Sequence, residues 1–304
     1  MDRNSTPLNA ETFFVTGATG YLGGYITRHL ARNGAYLFCL KRKSSDISCL
    51  QDIEHKINWV CSETTDLNNF FQMQKIDSIV HCSTNYGKET NSPIVTVDAN
   101  LILPLKLLHA AAGTNVRCFI NFDTVLDKRV NHYSLSKKQF LDWCALYTEK
   151  IKFINIKLHH FFGPFDDLSK FTAFIIDSLL TQKDRVKLTS GEQKRDFIYI
   201  EDVIDAFVTI ISVPADALPI GVSNFEVGTG TTVSIREFVE LARNLSKNNS
   251  TILDFGALPE RENEVYSPKS DIQKMIDIGW HPKHSLELGL IKCFKLHREQ
   301  KCVA

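Results

Sequence analysis

The stretch Phe13-Phe14-Val15-Thr16-Gly17-Ala18-Thr19-Gly20-Tyr21-Leu22-Gly23 decides the fold of this chain. An apolar run leads into glycines at i, i+3 and i+6, and an amphipathic segment, Tyr21–Asn33, follows. Gly17 permits a tight turn off a strand, Gly20 lets the backbone approach a pyrophosphate, and Gly23 lets the new helix pack closely on the sheet. The helix start, with Thr19, Tyr21 and Leu22 in the same turn, offers free N–H groups and a positive dipole end to phosphates.

Outward from this turn, short apolar runs alternate with longer amphipathic ones, the pattern of a parallel sheet covered by helices. Strands are predicted at Thr12–Thr16, Ala35–Leu40, Asn58–Cys61, Ser78–Cys82, Val116–Phe122, Lys152–Leu158 and Phe225–Val227. Helices are predicted at Tyr21–Asn33, Thr96–Ala112, Tyr133–Thr148, Lys170–Thr181, Glu201–Ile211, Ile235–Asn244, Ser270–Ile276 and Leu286–Leu296. The expected class is α/β: a Rossmann-type doubly wound parallel sheet with a smaller C-terminal substrate-binding lobe. Residues 1–160, completed by segments around 186–230, form the dinucleotide-binding domain, and 161–304 supply mainly the substrate lobe.

Composition sets outer limits. The chain has 304 residues, 43% hydrophobic and 23% charged, as in ordinary globular proteins. Lysine plus arginine equals aspartate plus glutamate at 35 each, so net charge gives no pull toward nucleic acid or an anionic membrane. The opening Met1-Asp2-Arg3-Asn4-Ser5-Thr6-Pro7 is too polar for a signal peptide, and no apolar run approaches the roughly 18 residues of a membrane span. The eight cysteines are scattered without a C-x-x-C pair, which suggests neither zinc nor a redox motif. A cytoplasmic protein without a metal is the expectation.

The cofactor is read from the second strand. After Phe38-Cys39-Leu40 comes Lys41-Arg42-Lys43-Ser44-Ser45, where an NAD-preferring site would place a carboxylate for the ribose 2′-OH. Cations and hydroxyls stand there instead and suit a 2′-phosphate, hence NADP(H). Arg42 is the first choice for that contact, Lys41 and Ser44 the next; the competing reading is a solvated basic turn. Asp66 and Leu67, after the third strand, are expected beside the adenine.

Tyr133-Ser134-Leu135-Ser136-Lys137 is a Y-x-x-x-K motif opening a helix. Its i, i+4 spacing puts phenol and ammonium on one face, one turn apart. A nearby ammonium is expected to lower the phenol pKa, so that Tyr133 exchanges a proton near neutrality. Lys137 can also hold the nicotinamide ribose. Thr124, in Ile120-Asn121-Phe122-Asp123-Thr124, is the available hydroxyl at the end of the fifth strand, or else a turn residue.

Together these residues resemble the extended short-chain dehydrogenase/reductase superfamily, which includes nucleotide-sugar epimerases, dehydratases and reductases. The resemblance spans nearly the whole chain. It extends to Gly163-Pro164, Arg195-Asp196-Phe197-Ile198-Tyr199-Ile200-Glu201-Asp202-Val203, Phe225-Glu226-Val227-Gly228 and Gly279-Trp280-His281-Pro282. It implies that Arg195 contacts the diphosphate of a sugar nucleotide, where a guanidinium fork suits phosphate oxygens. Arg261 is implied as a further nucleotide contact, and Thr84, Asn85, Asp123 and His160 as substrate contacts. Stretches such as Thr84-Asn85-Tyr86-Gly87-Lys88, Thr189-Ser190-Gly191-Glu192-Gln193 and Arg261-Glu262-Asn263-Glu264 are most similar to the 4-reductases of CDP- or dTDP-linked sugars. The chain departs from the family pattern at two places. Phe122 stands where the catalytic hydroxyl usually does, with Thr124 two residues past it. The usual R-x-x-N before Gly163-Pro164 is altered to Lys157-Leu158-His159-His160, leaving a histidine that faces the sugar or a satisfied interior one.

The resemblance leaves the reaction to be chosen. A 4,6-dehydratase follows its catalytic threonine with Asp-Glu, whereas Asp123 is followed by Thr124. A 4-epimerase recycles NAD and needs the acid that the second strand lacks. Reduction of a C4 keto group on a 6-deoxy or 3,6-dideoxy hexose by NADPH is therefore expected, for surface polysaccharide (O-antigen) synthesis. Epimerase, dehydratase and a non-catalytic NADP-binding sensor or scaffold are the alternatives. The family also implies a homodimer through a helix pair, with Leu101–Ala112 and Phe140–Tyr147 as candidates.

Overall fold

A computed structural model describes residues 11–87, 92–149, 151–214, 217–218, 221–260 and 269–301. In chain order its elements begin β1 (Thr12–Thr16), α1 (Tyr21–Arg32), β2 (Tyr36–Lys41), a 3-10 stretch (Ser48–Lys56), β3 (Ile57–Cys61), α2 (Leu67–Met73) and β4 (Ser78–His81). Next come α3 (Pro93–Val97), a π turn (Asp98–Ile102), α4 (Leu103–Ala111), β5 (Cys118–Thr124), α5 (His132–Cys144) and β6 (Lys152–Leu158). Then follow β7 (His160–Phe162), α6 (Phe171–Leu180), β8 (Arg185–Leu188), β9 (Lys194–Arg195), β10 (Phe197–Tyr199), α7 (Ile200–Ile211) and β11 (Val222–Val227). The chain finishes with β12 (Val233–Ser234), α8 (Ile235–Ser246), β13 (Ile252–Phe255), α9 (Gln273–Asp277) and α10 (Leu286–Lys301).

Two compact units result: residues 1–157 with 211–225, and residues 158–210 with 226–304. The first is built on a seven-stranded sheet in the order β11-β6-β5-β4-β1-β2-β3. β1 pairs in parallel with β2 on one side and β4 on the other, so the chain reverses its winding at β1, the crevice where doubly wound sheets take ligands. Phe13, Phe14 and Val15 are buried in succession, as a strand covered on both faces requires. The seven strands fall on the predicted runs to within a few residues. Of the stretch around 186–230 expected to complete this unit, only 211–225 does so; β8, β9 and β10 belong to the second unit.

The stretch Pro93–Ala111 runs as 19 helical residues of mean hydropathy 1.4, long and apolar enough by length and composition to cross a membrane. The sequence reading missed this because Asp98, Asn100, Lys106 and His109 interrupt the run. Leu107, Leu108, Ala110 and Ala111 are buried in the core with Phe14, Phe119 and Phe140.

The second unit is held by aromatic packing and by buried carboxylates, Asp196 among them. Phe197 and Phe238 stack at 4.4 Å, and Phe162 meets both Tyr199 and Phe238. Asp196 Oδ1 accepts from the Thr229 N–H (2.8 Å) and hydroxyl (2.7 Å), while Oδ2 accepts from the Gly230 N–H (3.0 Å) and Ser270 hydroxyl (2.6 Å). These bonds meet the cost of burying the charge. They also explain Gly228: a Cβ there would lie 2.4 Å from Ser270 Oγ.

Candidate active site

All of the predicted glycine loop lies at the C-terminal end of β1. Gly17 has φ +71°, and a Cβ on it would stand 2.6 Å from Ser83 N. A Cβ on Gly23 would stand 2.0 Å from the Gly17 carbonyl oxygen. At Gly20 only that carbonyl, at 3.3 Å, lies within contact range, so the space over the turn is open. Gly20 is the N-cap of α1 and offers no side-chain cap, which leaves the first N–H groups of the helix available to a ligand. This cradle fits a dinucleotide pyrophosphate. Below it, Thr16 Oγ1 lies 2.8 Å from Nδ1 of the fully buried His81 and accepts from Ser83 N at 3.3 Å. Burial, then Lys137, pushes the His81 imidazole far below its ordinary range, so it is neutral.

The basic turn follows β2. Arg42 and Ser44 are exposed, and the turn closes through Arg42 N to Ser45 Oγ (3.1 Å) and Ser45 N to the Arg42 carbonyl (3.1 Å). Among the described residues the Arg42 guanidinium makes no ion pair. Lys41 instead lays its ammonium over the Trp59 ring at 5.8 Å. An acid missed in the sequence, Glu63, accepts from the Lys43 N–H at 3.1 Å and fixes the turn. Asp66 caps α2, its Oδ1 accepting from Asn68 N (3.0 Å) and Asn69 N (3.4 Å), and Leu67 packs on the core.

Tyr133 and Lys137 sit in the first turns of α5, opened by an Asn131–Ser134 capping box. The Thr124 hydroxyl lies close enough to the Tyr133 phenol to favour its ionised form. It also accepts from Leu126 N at 3.2 Å, which fixes its rotamer. Phe122 is buried, so Thr124 is the hydroxyl that reaches the tyrosine. The expected depression of the phenol by an ammonium is not what the structure has. Desolvation pushes the Tyr133 phenol up, Tyr86 and Asp123 add to this, and only the Thr124 hydroxyl opposes it. Lys137 is buried with its Nζ donating to the Phe122 carbonyl at 2.9 Å, and burial drives its ammonium down to about 8. Tyr86, absent from the expected site, stacks on Tyr133 with ring centroids 5.0 Å apart and stays 43% exposed.

Three expected substrate contacts make hydrogen bonds within the scaffold. Asp123 Oδ1 accepts from Thr124 N (2.7 Å), and Oδ2 from Lys138 Nζ (2.7 Å) and Asn155 Nδ2 (3.2 Å). A carboxylate so bonded, with its side chain fully buried, is a strut. Asn85 Oδ1 accepts from Gly87 N (2.8 Å) and Thr96 Oγ1 (3.1 Å), shaping the loop that carries Tyr86. Thr84 Oγ1 donates to Asn100 Oδ1 at 3.1 Å. Asn100, buried at the π turn, also bonds the Asn85 backbone and Ser136 Oγ, tying this loop to α5.

In the second unit the two histidines separate. His159 is the interior one, 2.7 Å from Glu226 through Nε2. His160 is exposed and packs its ring on Phe197 at 6.0 Å. Arg195 stands in the same cluster, with NH1 donating to the Lys194 carbonyl at 2.7 Å. Arg261 lies outside the described residues. Among the described residues there is no cluster of three or more histidine, cysteine, aspartate or glutamate side chains able to hold a metal, and the seven described cysteines are all free.

Residues 13–225 match the model of the NAD dependent epimerase/dehydratase family. The chain is 31% identical to CDP-abequose synthase of Salmonella typhimurium over 94% of its own length and 98% of that protein. It is 22% identical to a putative UDP-glucose 4-epimerase of Methanocaldococcus jannaschii over 91% and 95%. Among solved structures, UDP-glucose 4-epimerase of Thermotoga maritima with UDP-glucose superposes with a TM-score of 0.82 at 18% identity, over 95% of this chain and 99% of that one, a likeness of fold. With a glycine cradle at the sheet's switch point, a Tyr133–Lys137 pair beside it and a family match over most of its length, the chain belongs to the NAD dependent epimerase/dehydratase family.

Proposed function

We propose that this protein is an NADPH-dependent reductase of the C4 keto group of a nucleotide-linked 4-keto-6-deoxy or 3,6-dideoxy hexose, CDP- or dTDP-linked, serving bacterial surface polysaccharide synthesis. The observation that carries the reading is the Tyr133–Lys137 pair one turn apart on α5, with the Lys137 ammonium on the Phe122 carbonyl at 2.9 Å and the Thr124 hydroxyl beside the phenol. Similarity to CDP-abequose synthase supports the substrate class.

The residues divide the work as follows. Gly17 to Gly23 and the α1 N-terminus hold the dinucleotide pyrophosphate, and Arg42, Lys41 and Ser44 hold the 2′-phosphate. The bound nicotinamide supplies the hydride. Tyr133 keeps its proton in the free enzyme, because desolvation raises its phenol, and gives it to the carbonyl oxygen as negative charge grows there. Thr124 steadies the phenol as it loses that proton. Lys137, charged below about pH 8, holds the nicotinamide ribose and favours the negative charge left on the phenol oxygen as its proton departs. Arg195 binds the substrate diphosphate, with His160 beside it as a hydrogen-bonding group.

Dehydration is less well supported, because Asp123 is engaged by Lys138 and Asn155 and no glutamate follows it. Epimerisation stays the second reading, on the family and the fold of the solved 4-epimerases. We propose that the protein is cytoplasmic and forms a homodimer through a helix pair, with Leu101–Ala112 and Phe140–Tyr147 as the candidate segments. The test is a screen of CDP- and dTDP-linked 4-keto sugars for NADPH absorbance loss, with product stereochemistry by NMR. Stoichiometric loss with one of them supports reduction. Sugar interconversion without net loss supports the epimerase, and binding of NADPH without turnover supports the sensor.

A further inference from the structure

Phe122 occupies the strand position that would ordinarily carry the hydroxyl, and its carbonyl takes the Lys137 ammonium at 2.9 Å. On the proposed reading the active hydroxyl comes from Thr124, the last residue of β5. Both peptide groups of Thr124 are fixed. Its N–H donates to Asp123 Oδ1 at 2.7 Å, and its carbonyl accepts from Lys138 Nζ at 2.6 Å. The same Nζ reaches Asp123 Oδ2 at 2.7 Å, closing a ring through carboxylate, ammonium and the Thr124 backbone. Asn155 Nδ2 donates to that oxygen at 3.2 Å and to Asn224 Oδ1 at 2.9 Å, while Asn121 Nδ2 donates to Asn155 Oδ1 at 2.8 Å. The ring is thus braced from β5, β6 and β11.

We propose that Lys138, paired with Asp123, is a positioning residue that clamps Thr124 so that its hydroxyl meets the Tyr133 phenol. The inference rests on the reading of Thr124 and Tyr133 as the proton-handling pair. Lys137 and Lys138 are adjacent on α5 but act on carbonyls two residues apart on β5: the first on Phe122, the second on Thr124. The charge-assisted bonds of Lys138 are short, and Asp123 has no exposed side-chain surface through which water could replace them.

Two readouts test this. The first is steady-state kinetics of Lys138→Met, Lys138→Arg and Thr124→Val, alone and combined. Lys138→Met should lower kcat about 10- to 100-fold, with KM and NADPH affinity within about threefold. Lys138→Arg should recover most of kcat. In a Thr124→Val background, Lys138→Met should cost less than about threefold, because the hydroxyl it positions is gone. The second readout needs no turnover: the resonance of Tyr133 in isotope-labelled protein, assigned with Tyr133→Phe. Thr124→Val should shift it, Lys138→Met should reproduce that shift, and Lys138→Arg should not. Should Lys138→Met not fold, Asp123→Asn/Lys138→Met, which leaves no unpaired carboxylate, carries the same expectations. Multiplying losses in the double variant, or an unmoved Tyr133 resonance in Lys138→Met, would overturn the proposal. A wild type inactive on every 4-keto sugar nucleotide would instead overturn the function, leaving the resonance arm to judge the clamp.

Discussion

Lys137→Met gives the sharpest prediction about the interior of the site. The Lys137 ammonium is buried, and burial lowers its pKa from an ordinary 10.5 to about 8. Between those values the unfolded chain holds a proton that the folded chain has released, so folding stability contributed by this group rises with pH. Below about pH 8 both states are charged and the folded state bears the full desolvation penalty. Above 10.5 both are neutral and the penalty vanishes. At ~1.4 kcal/mol per pH unit, the drop corresponds to about 3 kcal/mol. Wild type and Lys137→Met should be unfolded in urea at intervals from about pH 7 to 10, under reducing conditions. Other groups titrate in this window; buried Cys39, for one, is pushed up to about 12, which lowers stability as pH rises. They are common to both proteins and cancel in the difference. The variant's stability relative to wild type should therefore fall by about 2 to 3 kcal/mol from the bottom to the top of the range. A constant offset would refute the reasoning, because it would mean that the Lys137 ammonium titrates alike in both states.

Three further outcomes follow from the geometry. Gly23→Ala places a Cβ 2.0 Å from the Gly17 carbonyl oxygen, where ordinary contact begins at 3.4 Å, so the cradle must open. Losing two phosphate–amide bonds at about 1.5–3 kcal/mol each should weaken NADPH binding by 100-fold or more in a fluorescence titration. Thr124→Val removes the hydroxyl beside the phenol and should reduce kcat about 10- to 100-fold with little change in KM, read by NADPH absorbance. Arg42→Ala should cost NADPH about tenfold or more in affinity and leave NADH almost unchanged, since only the former carries a 2′-phosphate; equal losses would return Arg42 to a solvated turn.

The central sheet was legible because a parallel sheet buried on both faces leaves uninterrupted apolar runs, and every strand of the sheet follows one. The glycine loop and Tyr133–Lys137 were legible because their spacing is set by local backbone geometry. Short elements were not. α2 is seven residues, Leu-Asn-Asn-Phe-Phe-Gln-Met, whose asparagines hide its helical character until the Asp66 cap is seen. The two-residue strands β9 and β12 carry no period at all and exist through pairing with each other. The surroundings of the expected substrate contacts were illegible for a different reason. Whether Asp123 faces a ligand or the interior depends on Lys138 and Asn155, which are 15 and 32 residues away in sequence. The same holds for Asn85, held by Thr96 and Asn100. The phenol shift was misread because i, i+4 spacing brings two side chains to one helix face without deciding their partners. Here the Lys137 ammonium reaches the Phe122 carbonyl, and burial governs the phenol.

The most direct measurement is a single turnover of the enzyme with 4-deuterated NADPH and a CDP- or dTDP-linked 4-keto sugar, followed by NMR of the sugar. Deuterium should arrive at sugar C4 in wild type and fail to arrive with Tyr133→Phe. Deuterium left on the cofactor, or transferred equally well without the Tyr133 hydroxyl, would contradict the role given to this site.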